Sequence, residues 1–339
     1  MLKLSVLDQS IATAGRPHAA AIQDTLAMAR HCEALGYHRF WVSEHHNHAS
    51  IVGTAPEILM AAIATQTSRI RIGSAGVMLP HYSALHVAEQ FRLLDALAPG
   101  RIDLGVGRAP GSDGRTAYAL NPNAATAAEQ FPTQIRDLSA WVSGTDLPEG
   151  HPFRQVRAFP AGETSPQIWV LGSSDYGAQV AAHFGLPYCF AHFITDGRGA
   201  EQAIKIYRET FRPSAQLTAP LAALCCWALA ADTESEAQRL FTSRARWKLG
   251  RERGLFLPIE APEAAAAHAT SAAEAARIAE LRATAMVGTA AQVGAHLREL
   301  SARLGIDEIA VLTWTYDPQA RRRSYSLLAE DFALAGSPA

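Results

Sequence analysis

Glu44, His45, His46 and Asn47 follow directly on an apolar, β-forming run, Phe40-Trp41-Val42 and then Ser43. A carboxylate, two imidazoles and an amide at one strand end are suited to proton transfer, because an imidazole titrates close to neutrality. Two other readings stand beside this one. The residues can cap the strand and hydrogen-bond locally. Alternatively His46 and His48, two apart on an extended segment, can face the same way and ligate a metal ion. Neighbours on a strand alternate faces, so Glu44 and His45 are not expected to point the same way.

Three further stretches carry chemistry of another kind. Gly172-Ser173-Ser174 lies between an apolar run and a helical one, so its amides and hydroxyls can cradle an anion. Ser174 or Asp175 can equally be an ordinary helix N-cap. Arg108 follows Gly105-Val106-Gly107, and its planar fork can pair with a phosphate or form a surface salt bridge. Ser74-Ala75-Gly76 offers little beyond small size, which lets backbone approach a flat ligand closely.

Such groups act together only if the chain gathers them at one place. Strands are expected at 4–7, 39–42, 70–73, 101–105, 167–171, 187–190, 221–229 and 308–312. Helices are expected over 18–35, 56–67, about 87–97, 124–141, 176–184, 199–211, 290–304 and 318–334, with 106–123 as loop. Eight strand–helix units favour an α/β fold, a closed (β/α)8 TIM barrel of one domain over 1–339, with the candidate residues at its mouth. The segment 232–286 is an insertion between the seventh strand and its helix, mainly helical with a loop at 251–262. It is a lid or a solvated excursion.

The 339 residues are 48% hydrophobic, with a formal net charge of −2. That suffices for a large core and lacks the basic stripe of a nucleic-acid binder. Cys32, Cys189, Cys225 and Cys226 have no CxxC spacing and suit reduced thiols in a cytoplasmic protein. Neither a signal peptide nor a membrane-spanning run is expected.

Taken as a set, these stretches resemble the bacterial luciferase-like flavin-dependent monooxygenase superfamily. The resemblance rests on Trp41-Val42-Ser43-Glu44-His45-His46-Asn47, on Arg71-Ile72-Gly73-Ser74-Ala75-Gly76-Val77-Met78-Leu79-Pro80 and on Glu89-Gln90-Phe91-Arg92-Leu93-Leu94-Asp95. It continues through Pro99-Gly100-Arg101-Ile102-Asp103-Leu104-Gly105-Val106-Gly107-Arg108, Val170-Leu171-Gly172-Ser173-Ser174 and the closing segment from residue 308. Within the superfamily the chain looks most like a bacterial subgroup with Gly107-Arg108-Ala109-Pro110-Gly111. The resemblance implies FMN, used in reduced form with O2 to oxygenate a small organic substrate through a flavin C4a-hydroperoxide. It implies Ser173 and Ser174 at the phosphate with Arg108, and a cis Ala75–Gly76 peptide under the ring. It further implies His45 beside the reactive carbon, oriented by Glu44 and His46, a separate flavin reductase and a homodimer. The luciferases proper carry a reactive-site cysteine where Gly107 stands, so light emission is not implied. A deazaflavin-dependent hydride transfer, a metal-dependent barrel hydrolase and a non-catalytic flavin-binding protein are the alternatives. Met78, Phe193 and Trp314 are expected near the mouth and suit an apolar ligand.

Overall fold

Eight short strands with alternating faces form the barrel. They are β1 (Lys3–Asp8), β2 (Arg39–Val42), β3 (Arg71–Ser74), β4 (Ile102–Gly107), β5 (Gln167–Gly172), β6 (Tyr188–Ala191), β7 (Ala222–Ala230) and β8 (Glu308–Leu312). The computed structural model describes residues 2–109 and 111–336 and pairs each strand in parallel with the next. Ile309 of β8 pairs with Leu4 of β1 and with Leu224 of β7, so the sheet closes. The fold is the expected (β/α)8 barrel.

Strand alternation sorts the side chains into two cores. Phe40, Val42, Leu104 and Val170 point outward and are buried under the helices, while Leu7, Trp41, Trp169 and Trp227 fill the barrel. Burying a side chain of that size contributes ~1.5–3 kcal/mol, which is why strand register is well determined. Cys225 and Cys226 illustrate the rule. Though adjacent, Cys225 points inward with Cys189, and Cys226 points outward. All four cysteines are free and buried.

The two ends of the barrel differ in chemistry. At the N-terminal end Arg39 donates to Asp103 at 2.9 Å and to Glu308 at 2.8 Å, and Arg71 donates to Asp103 at 2.6 Å. Ser5 adds a 2.6 Å bond to Glu308, and the Trp41 indole a 2.9 Å bond to Asp103. With every charge paired, the cost of burying them is offset and this end is sealed. Chemistry is left to the other end, where the loops following the strands gather.

Several expected boundaries shift for local reasons. The helix expected at 124–141 is two helices, Ala124–Glu129 and Phe131–Ser143, and Pro132 sits in the first turn of the second, where its missing N–H costs least. The expected loop 106–123 contains the helix Gly114–Leu120, because Asp113 accepts from the N–H groups of Arg115 and Thr116 and caps it. The insertion between β7 and the helix Ala290–Leu304 holds helices Glu234–Glu252, Pro262–Ala267 and Ala272–Thr284. Its last piece, Met286–Gly288, pairs in parallel with the upper end of β7. No helix among the described residues is long and apolar enough to cross a membrane.

Candidate active site

Past Val42, Glu44 turns into the wall. Its carboxylate accepts from the Met78 N–H at 3.0 Å, the Tyr82 hydroxyl at 2.7 Å and His46 Nε2 at 2.8 Å. Glu44 therefore ties the end of β2 to the segment after β3. Glu44 and His46 do not orient His45: they bond each other, and Glu44 points away from His45 as strand alternation led us to expect. His48 is committed elsewhere, with Nδ1 accepting from the N–H groups of Ser50 and Ile51 and its ring 4.7 Å from that of Phe256. Among the described residues no three His, Cys, Asp or Glu side chains are grouped to hold a metal ion.

His45 is left as the free imidazole of this loop. Its Nδ1 is buried without a hydrogen-bond partner among the described residues, and its ring meets that of His48 edge-on at 5.8 Å. Burial, aided by His48, His46 and Arg251, pushes its pKa down to about 4. Titration near neutrality, expected from residue type alone, is thus corrected by the surroundings. At neutral pH the ring is uncharged, with one nitrogen to accept a proton and one N–H to donate.

A glycine-built ledge lies one and two strands further round, at the ends of β3 and β4. The Ala75–Gly76 peptide is cis, and Ser74 Oγ donates to the Gly105 carbonyl at 2.8 Å. A Cβ on Gly105 would stand 2.1 Å from the Ser74 carbonyl oxygen, and one on Gly76 would stand 2.7 Å from Leu171 Cδ1. The two backbones therefore touch, with Leu171 packed against both, a contact open only to glycine. A Cβ on Gly107 would meet nothing within 4 Å, so the ledge faces open space there.

Beside the ledge, β5 runs through Ser173 and Ser174 into the helix Asp175–Phe184. Ser174 occupies the N-cap position but its side chain makes no capping bond. Neither serine hydroxyl has a partner among the described residues. Arg108 forms no ion pair there either, and its guanidinium carbon lies 4.0 Å from the centre of the Tyr176 ring. Two hydroxyls, the free amides of a helix N-terminus and a guanidinium converge, an arrangement suited to a phosphate. Pro110, part of the Gly-Arg-Ala-Pro-Gly stretch, lies outside the described residues.

The insertion covers the mouth. Ile259 donates to the Ala12 carbonyl at 2.9 Å and accepts from the Ala14 N–H at 2.8 Å, while Ser50 Oγ donates to the Leu257 carbonyl at 2.6 Å. From the helix Glu234–Glu252, Trp247 reaches Trp314 with ring centres 4.5 Å apart. Trp314 and Phe193 belong to the inward-facing cluster, whereas Met78 packs against Gly111.

The sequence model of luciferase-like monooxygenases matches residues 3–308. The chain belongs to that family. It is similar to "Uncharacterized protein YwcH" of Bacillus subtilis (strain 168), 44% identical over 98% of this chain and 100% of the relative. It is similar to the N-acetyl-S-alkylcysteine monooxygenase of the same organism, 36% identical over 97% of this chain and 98% of the relative. The crystal structure of apo-MsnO8 superposes with a TM-score of 0.88 at 34% identity, over 99% of this chain and 100% of that one.

Sequence reasoning gave no individual role to several residues of this luciferase-like mouth. Leu171 and Gly105 were within reach of strand alternation, which places both inward beside Ala75 and Ser173. Tyr176 and Trp227 gave no signal beyond their size. Arg244 is one of several arginines on an arginine-rich helix, and only the fold distinguishes it.

The partly buried imidazoles make stability depend on pH. His48 is also lowered to about 4, by burial and by Arg251. Both rings fold uncharged but bind protons when unfolded, around 6.5. Between those values the unfolded chain holds more protons, so stability falls as pH falls. We expect the melting temperature to decline from about pH 6.5 to 5, above the main carboxylate range. His45→Asn should make that decline shallower. An unchanged slope would show that His45 titrates normally in the folded protein.

Proposed function

We propose that the chain is an FMN-dependent monooxygenase, a cytoplasmic homodimer that receives reduced FMN from a separate flavin reductase and oxygenates a small organic substrate with O2. The observation carrying this reading is the adjacency of an unsatisfied anion cradle and a flat ledge that only glycine permits. Ser173, Ser174 and Arg108 hold the phosphate, and the backbone of Ala75, Gly76 and Gly172 lies against the ring system. Reduced FMN, when bound, supplies two electrons to O2, so that one oxygen atom enters the substrate and the other leaves as water. The protein positions both reactants, and the 253–261 loop with Trp247 and Trp314 excludes water. His45, uncharged and with its Nδ1 buried, holds or passes a proton at a ring nitrogen.

One relative is named for oxygenating an N-acetyl-S-alkylcysteine, so a thioether carrying a carboxylate is the first substrate class to try. Purified protein is titrated with FMN by absorbance, then supplied with reduced FMN and N-acetyl-S-benzylcysteine while oxygen uptake and peroxide are followed. The expected result is a saturable change in the flavin spectrum and oxygen uptake exceeding peroxide release. Hydride transfer to a deazaflavin without oxygen uptake would replace this reading with the dehydrogenase one. Flavin binding without turnover of any substrate tried would leave a binding protein.

A further inference from the structure

Four arginines are buried among the described residues, and three of them have polar partners. Arg39 is held by Asp103 and Glu308, Arg92 by the carbonyls of Pro160, Trp141 and Val142, and Arg321 by Asp8. Arg244 is the exception. It is 5% exposed, yet among the described residues it donates no hydrogen bond and enters no ion pair. Its guanidinium carbon lies 4.3 Å from the centre of the Trp227 ring and 5.1 Å from that of Trp314.

Contacts with ring faces support the charge but leave the in-plane N–H donors unused. The indole N–H groups of Trp227 and Trp314 are also buried without partners among the described residues. Asp196 favours the charged form of Arg244, but its two oxygens are taken by Lys248 at 2.8 and 3.0 Å. Burial pushes the Arg244 pKa down to about 9, which leaves a cation at neutral pH. Burying a charge without a hydrogen-bonded counter-charge is costly.

We infer that Arg244, with the indole N–H groups of Trp227 and Trp314, receives the carboxylate of an anionic substrate. The planar fork matches the two oxygens of a carboxylate, and the tryptophans supply an apolar wall for the rest of the molecule. β7 and β8, which bring Trp227 and Trp314, stand across the ring from β3 and β4, which carry the ledge. A small apolar acid anchored at Arg244 therefore directs its far end toward the ledge, and Arg108 and Arg244 serve separate anions. This inference rests on the mouth being a substrate site for flavin chemistry.

The test uses FMN-loaded protein titrated with N-acetyl-S-benzylcysteine and 4-phenylbutyrate, and with their methyl esters, followed by tryptophan emission. Wild type is expected to prefer each acid over its ester. Arg244→Met is expected to weaken acid binding by about 10- to 100-fold, with ester and FMN affinities nearly unchanged. Arg244→Lys keeps the charge without the fork, and part of the preference should survive; it also serves if the methionine variant does not fold. Equal binding of acid and ester by wild type, no binding of either acid, or equal losses for both in Arg244→Met would overturn the inference. FMN titration of the same samples separates the two levels. A wild type that does not bind FMN counts against the flavin reading, while normal FMN binding without acid preference counts against Arg244.

Discussion

Alanine at both Ser173 and Ser174 is expected to weaken FMN binding by about 10²–10⁴-fold while riboflavin binding changes little. Each hydroxyl bonded to a phosphate contributes roughly 1.5–3 kcal/mol, and every 1.4 kcal/mol is about tenfold. The fold should be untouched, because Ser174 does not cap the helix Asp175–Phe184 and neither hydroxyl bonds another described residue. Calorimetric titration of both flavins into wild type and the double variant measures the difference. Arg108→Met should act in the same direction. Equal losses for FMN and riboflavin would place the phosphate elsewhere.

His45→Asn should bind FMN and melt almost as wild type does, yet lose coupled oxygenation by about 10²–10⁴-fold, the usual range for a general acid–base group. Peroxide release should rise as oxygen is reduced without reaching substrate. Because asparagine can keep one hydrogen bond, His45→Ala is run in parallel. His46→Asn is the control: its imidazole bonds Glu44, and Glu44 keeps the Met78 amide and the Tyr82 hydroxyl as donors. Stopped-flow mixing of reduced-flavin enzyme with oxygen reads the effect. A crippled His46→Asn beside a normal His45→Asn would reverse the roles given to these two residues.

The barrel was legible because the eightfold recurrence of a β-forming run followed by a helical one is a property of the sequence itself. Arg39–Val42 and Glu308–Leu312 coincide with their expected spans, as do the helices His18–Leu35 and Ala290–Leu304. The motifs Gly172-Ser173-Ser174 and Ser74-Ala75-Gly76 were legible as small residues at strand ends. What they touch was not. That Glu44 spends its carboxylate on Met78, Tyr82 and His46 depends on segments more than thirty residues apart. The depressed titration of His45 comes from burial and from Arg251 of the insertion, where the resemblance to the family is weakest. Arg244 stands out only once its donors are set beside those of Arg39, Arg92 and Arg321.

The placement of the cysteines bears on how long such an enzyme survives its own chemistry. Under the proposed oxygen chemistry, peroxide would form within the barrel whenever oxygen activation outran substrate, and Cys189 and Cys225 line the interior below the mouth. Peroxide attacks the thiolate far faster than the thiol, so the hazard scales with ionisation. Burial holds all four thiols protonated, raising Cys32, Cys189 and Cys225 well above the ordinary value and Cys226 to about 12. Under that reading the barrel wall is oxidation-resistant: its two interior thiols are held in the form that peroxide consumes slowly.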